Sequence, residues 1–217
     1  MIVNPWRFAA AFLVLVAPSI CAAVEPTVLT FEGAAPGAPP AGFAAALTGR
    51  GRPVQWRVVA DEGALGGRAL AETSADSTDY RFPLAVYEQL SAKDVEVSIH
   101  FRPVSGRVDQ AAGIAVRLAD ADNYYVVRAN ALEDNVNLYR VVRGNRQQIT
   151  GTRARVASNA WHTLTLRAEG ERLTVSFDGQ PLFAATDRTF ASAGKIGLWT
   201  KADSVTHFDK VTVTPLP

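Results

Sequence analysis

Cysteine is nearly absent from this chain: Cys21 is the only one among 217 residues. A single thiol closes no disulfide within the chain and supports no cysteine-based zinc site, so stability has to come from a buried core. Histidine is scarce too, and His100, His162 and His207 show no metal-ligand spacing. Neither charge sign dominates, with 22 Lys and Arg against 21 Asp and Glu. That balance, without a basic cluster, argues against a nucleic-acid partner. The apolar run Phe8–Val16 is too short to span a bilayer. No segment keeps a helical period, no G-x-S-x-G elbow occurs, and Asp120–Asn123 lacks the glycine an EF-hand loop needs.

What is present begins with an export signature. Arg7 precedes the apolar run, Pro18 ends it, and Cys21-Ala22-Ala23 supplies small residues before Val24. This is the pattern of a cleavable signal peptide over residues 1–23. Cleavage would leave 194 residues, remove the only cysteine and Arg7, and balance the charges at 21 of each sign. The expectation is a periplasmic or secreted monomer, free of the membrane after cleavage, formed by one domain over 24–217. Its 48% apolar and 20% charged composition is that of a folded globule.

Alternating patterns then dominate. The stretch from Ala119 to Arg143 reads as two strands joined by a turn at Leu132–Asn135. Strand side chains alternate, so Tyr125, Val127 and Ala129 share one face while Tyr124, Val126, Arg128 and Asn130 share the other. On the next strand Val136, Leu138, Arg140 and Val142 oppose Asn137, Tyr139, Val141 and Arg143. One face is therefore for packing, and the other gathers aromatic rings, Arg and Asn. Further strands are expected at Thr27–Phe31, Val54–Val59, Ala69–Glu72, Tyr80–Tyr87, Val95–Arg102, Gly113–Leu118, Arg146–Thr152, Trp161–Ala168, Arg172–Phe177, Pro181–Ala185, Lys195–Thr200 and His207–Thr214. Asp178-Gly179 and Gly144-Asn145 read as hairpin turns. Residues 33–53 read as a long loop, Phe43–Leu47 and Glu88–Lys93 as single helical turns, and Pro83 as the mark of an edge strand or bend. Many strands without helices imply an all-β, two-sheet antiparallel jelly-roll sandwich.

Four segments carry a resemblance: YRFPLAV (80–86), SGRVDQAAGIAVRLADADNYYVVRANALEDNVNLY (105–139), WHTLTLRAEGERLTVSFDG (161–179) and GKIGLWTKADSVTHFDKVTV (194–213). Together they resemble the concanavalin A-like lectin/glucanase superfamily. Within it the chain looks like exported bacterial domains related to laminin-G modules and to 3-keto-disaccharide hydrolase-like proteins. The resemblance implies the jelly-roll fold and a saccharide or glycan as partner. It does not carry over catalysis, because the E-x-D-x-x-E string of family 16 glucanases is missing. Asp94 and Glu96 share a face without a third carboxylate. A hydrolase using Asp122 or Glu133 and a structural adhesion module are the rival readings.

Candidate ligand-binding residues are Arg128, Asn130, Asn137, Tyr139, Trp199 and Lys201. Tyr139 and Trp199 would stack on sugar rings while Arg, Asn and Lys bond hydroxyls; Trp199 alternates away from Ile196 and Leu198, which suits an exposed ring, and a core position is the alternative. Trp161 is expected in the core. No cofactor is required. The resemblance points to Glu32 and Asp209, on the first and last strands, as candidate ligands for a structural Ca²⁺.

Overall fold

The computed structural model describes Met1 and residues 25–217, so the expected signal peptide, Cys21 and the cleavage site lie outside the described residues. Among the described residues no helix is long and apolar enough to cross a membrane. Among the described residues fifteen strands, numbered in chain order, form two antiparallel sheets packed as a sandwich. Sheet I runs β13 (Gln180–Thr186), β12 (Arg172–Phe177), β11 (His162–Glu169), β6 (Val95–Ser105), β15 (Val205–Pro215), β4 (Arg68–Glu72) and β3 (Trp56–Ala60), with β1 (Thr27–Thr30) also paired to β15. Sheet II runs β10 (Asn145–Arg153), β9 (Asn135–Val142), β8 (Asn123–Asn130), β7 (Ala111–Asp120), β14 (Gly194–Trp199), β5 (Arg81–Ala92) and β2 (Phe43–Gly49).

The core between the sheets follows the period of two. Val95, Val97, Ile99 and Phe101 of β6 meet Leu164 and Leu166 of β11, Val211 and Val213 of β15, and Ile114, Tyr125, Val127, Leu138 and Leu198 of sheet II. Arginines fasten the ends of the sandwich. Arg117, in left-handed backbone (φ 49°) where β7 breaks register with β8, turns out of the alternation. Its guanidinium donates to the carbonyls of Lys93 (2.8 Å), Phe190 (2.8 Å) and Gly170 (2.5 Å) and to Asp94 (3.2 Å). Arg81, fully buried, pairs with Glu72 of sheet I (3.5 Å) and donates to the carbonyl of Ala202 (3.3 Å).

Several local expectations change in the fold. Phe43–Leu47 lies in strand β2, inside the expected 33–53 loop, and Glu88–Ala92 lies in β5; neither is helical. A single helical turn has one bond to offset its nucleation cost, whereas pairing along Phe43↔Tyr87 to Gly49↔Arg81 supplies a whole ladder. Pro83 is not at an edge, because β5 lies between β14 and β2. It is tolerated where β14 ends: the carbonyl of Pro83 accepts the amide of Thr200 (3.0 Å), and its missing N–H falls just past the β14–β5 pairing. The β9–β10 turn is centred on Arg143-Gly144, both at positive φ, rather than on Gly144-Asn145. Asp178-Gly179 forms the expected turn.

Replacing Arg117 with Met should leave the carbonyls of Lys93, Phe190 and Gly170, and Asp94, without this shared donor. The expected cost is about 3 kcal/mol, or roughly 6–12 °C in Tm for a domain of this size, measurable by calorimetry.

Candidate functional site

Sheet II is apolar on both faces. Its outer face carries Phe82, Leu84, Val86, Ala115, Tyr124, Val126, Tyr139, Val141 and Trp199, all buried. Among the described residues no second sheet covers them; the sheet curls over them. The Thr48 hydroxyl on edge strand β2 lies 2.7 Å from the Tyr124 hydroxyl, although β5, β14 and β7 separate their strands. The same Thr48 hydroxyl donates to the carbonyl of Ala121. Tyr80, just before β5, accepts the backbone amide of Arg146 on the opposite edge strand β10 (2.8 Å). The outer face is thus the inside of a rolled sheet. Burial pushes the Tyr124 phenol up to about 12, so it remains a neutral donor and acceptor.

Register places the polar residues in this groove. One row crosses the sheet as Leu84, Trp199, Gly113, Arg128, Asn137 and Gly151. Two glycines in it make room. A Cβ on Gly113 would lie 3.2 Å from Trp199 Cε3 and 2.7 Å from the carbonyl of Val127, and one on Gly151 would lie 1.8 Å from the Asn137 carboxamide. Turned with its oxygen toward them, that carboxamide accepts from Tyr139 Oη (3.1 Å) and Arg128 Nη2 (3.3 Å). Arg128 also pairs with Glu133 (2.6 Å) and donates to Asn135 (2.8 Å). Asn130 donates to Asp109 (2.6 Å), whose other oxygen lies 2.5 Å from Lys201 Nζ. The Asp203 carboxylate accepts the amides of Arg107, Val108 and Asp109 and so holds Asp109 in place.

All six sequence-predicted ligand-binding residues therefore share one groove, but with a changed role for the rings. Trp199 is fully buried, not exposed: it stacks on Phe82 (5.2 Å, 26°) and donates to the Tyr124 hydroxyl (3.2 Å). Tyr139 is buried as well. Neither presents an open face to a sugar; Arg128, Asn130 and Asn137 are buried beside them, and Lys201 keeps partial exposure. The alternation identified the face correctly and could not show the curl that closes over it.

Sequence reasoning missed Arg146, which lies opposite Val141 on β10. Its guanidinium carbon sits 4.6 Å from the ring centroids of both Phe82 and Tyr139 and 5.8 Å from that of Trp199. Burial lowers its pKa below the ordinary arginine value. Tyr80 was read only as part of a strand; it is half-buried at the groove margin, tilted against Phe82 at 5.0 Å. Period two puts Arg146 on the outer face beside Val141, but its reach to Phe82 and Trp199, and the place of Tyr80 against it, depend on the meeting of opposite edges.

The carboxylates considered for catalysis do not converge. Asp122 lies in the turn before β8 and Glu133 in the turn after it, so the length of β8 separates them. Glu133 serves Arg128. Burial pushes its carboxyl up, but the hydrogen bond from Asn135 and the Arg128 guanidinium outweigh that and hold it below its ordinary 4.5.

Glu32 and Asp209 both meet the short 3-10 turn Leu65–Gly67. Glu32 packs where a Gly66 side chain would stand, and Asp209 accepts the amide of Leu65 (2.9 Å). The second oxygen of Asp209 lies 2.8 Å from His100 Nδ1. Both Asp209 oxygens are thus engaged within the fold. Among the described residues no three His, Cys, Asp or Glu side chains gather around a metal position. His100 in turn stacks on Trp161 (4.7 Å, 16°), which is half-buried on the outer face of sheet I and not in the core. Beside them lies a hollow of about 280 Å³ lined by Leu65, Ser98, His100, Thr163, Lys210 and Thr212.

Because Glu133 is depressed in the folded state, its contribution is complete above pH 4.5 and is lost as pH falls through its lower folded value. Glu133→Gln should therefore melt below wild type at neutral pH. The gap should close as pH drops below 4.5, which melting curves across pH will show.

The comparisons agree on architecture. The carbohydrate-binding module CBM66 from Bacillus subtilis superposes with a TM-score of 0.61 at 22% identity, over 78% of this chain and 94% of that one. A lichenase (beta-1,3-1,4-glucanase) derived from a mouse hindgut metagenome gives 0.58 at 11% identity, over 88% and 99%. Domain 4 of an extracellular arabinanase from Geobacillus stearothermophilus, solved with arabinotriose, gives 0.56 at 13% identity, over 89% and 93%. At these identities the likeness establishes the concanavalin A-like jelly-roll fold and nothing finer. Among curated proteins none matches the sequence. Residues 89–216, more than half of the chain and the part that supplies β6 to β15, match the family described as the C-terminal lectin domain of galactocerebrosidase, and the chain belongs to that family.

Proposed function

We propose that this chain is an exported saccharide-binding domain that takes its ligand at the rolled face of sheet II and performs no hydrolysis itself. One observation carries the reading: Arg128, Asn130, Asn137, Tyr139, Arg146 and Lys201 all converge on one groove above an aromatic floor. Polyhydroxylated ligands are held by such a combination, with charged and amide groups fixing hydroxyls and apolar surface meeting the C–H face of the ring. The membership of a lectin-domain family supports it. The parts of the groove that meet a sugar are those with solvent exposure: Tyr80, Glu133, Arg146, Gln148 and Lys201. Trp199 and Tyr139 act beneath them as the floor. The two carboxylates held by cations, Glu133 and Asp109, position Arg128 and Lys201.

A glycan array on residues 25–217, followed by calorimetric titration of the glycans retained, tests this. Gln148 is exposed and stands opposite Tyr139, so Gln148→Trp places a bulky ring over the groove. It should weaken binding by roughly tenfold or more, about 1.4 kcal/mol or greater. Thr163→Trp, at the hollow on the other sheet, should leave affinity unchanged. The reverse pattern would move the ligand to sheet I.

A further inference from the structure

The cations and carboxylates in the groove do not balance. Arg128 faces Glu133 at 2.6 Å and Lys201 faces Asp109 at 2.5 Å, but among the described residues no carboxylate pairs with Arg146. The Arg146 guanidinium lies against Phe82, Tyr139 and Trp199, and its Nη1 is buried without a hydrogen-bond partner. Arg128 presents a second such group: its Nε is also buried and unpartnered. Both guanidiniums approach the same ring, at 4.6 Å for Arg146 and 5.6 Å for Arg128 from the Tyr139 centroid. Two like charges thus straddle one phenol, and only one has a counterion.

A buried polar group without a partner costs free energy, and a desolvated charge costs more. Stacking on aromatic rings offsets part of that cost and leaves the in-plane N–H donors unsatisfied. A planar guanidinium meets a carboxylate in two parallel hydrogen bonds, and the pairing strengthens where water is excluded. A neutral sugar hydroxyl satisfies one donor and leaves the charge uncompensated. We infer that the groove selects an acidic saccharide, with a uronate carboxylate paired to Arg146. This rests on the groove being the saccharide site.

The test compares one glycan in two forms: an acidic oligosaccharide built of uronic acids, and the same oligosaccharide with each carboxylate reduced to a primary alcohol. Titrated into residues 25–217, the acidic form should bind at least tenfold more tightly, with a preference that shrinks as salt rises. In Arg146→Met that preference should disappear, the two forms then binding within about twofold of each other, since the flexible apolar side chain can still cover the rings. Arg146→Lys retains a cation without the planar fork. It should retain Tm and lose most of the preference, which keeps the test sound if the Met variant folds poorly. Equal affinity of the wild type for both forms would overturn the inference and leave the saccharide reading standing. Binding of neither form, nor of any glycan on the array, would overturn both.

Discussion

Sheet II is apolar on both faces, and the rest of the structure follows from how it buries both. One face meets sheet I in an ordinary sandwich core of alternating side chains. The other has no sheet to meet among the described residues, and large unpartnered apolar surface is unfavourable in water. Curling resolves this: Thr48 reaches Tyr124 across three intervening strands, and Tyr80 bonds the backbone of Arg146 on the opposite edge strand. A sheet rolled this far turns a surface into a groove, and the groove is where the chain's polar chemistry collects.

Arginine does much of the joining. Arg117 and Arg81 each satisfy carbonyls and a carboxylate from separate segments at the ends of the sandwich. A guanidinium presents several donors in one plane, so a single side chain can tie three or four segments where no ladder hydrogen bonds remain. Arg128 and Arg146 differ in having one buried donor each left unpartnered as they lie on the Tyr139 ring. The contrast separates arginines whose hydrogen bonding is complete within the fold from those whose bonding is not.

Membership in a lectin-domain family and likeness to both a carbohydrate-binding module and a glucanase show how widely one sandwich is reused. Residues at the groove, rather than the architecture, separate binding from hydrolysis. Here Glu133 is neutralised by Arg128, and Asp122 stands at the far end of β8. Carboxylates arranged in this way orient cations.

Alternation alone determined most of the strands and which side chains share a face: Tyr125 and Val127 point into the sandwich, while Tyr124, Arg128, Asn137 and Tyr139 point away from it. The Asp178-Gly179 turn was equally legible, since two adjacent positive φ values call for residues of that kind. Tertiary structure decided the rest. It made a strand of Phe43–Leu47, because ladder partners outweigh the preference of a single turn. A one-residue shift of the β9–β10 turn set Arg146 opposite Val141 instead of Arg143. Curvature buried Trp199 and Tyr139, which a flat alternating strand would leave in solvent. Period two reports on which side of a sheet a residue lies, whereas how far the sheet bends depends on contacts between edges more than sixty residues apart in sequence, such as Tyr80 with Arg146.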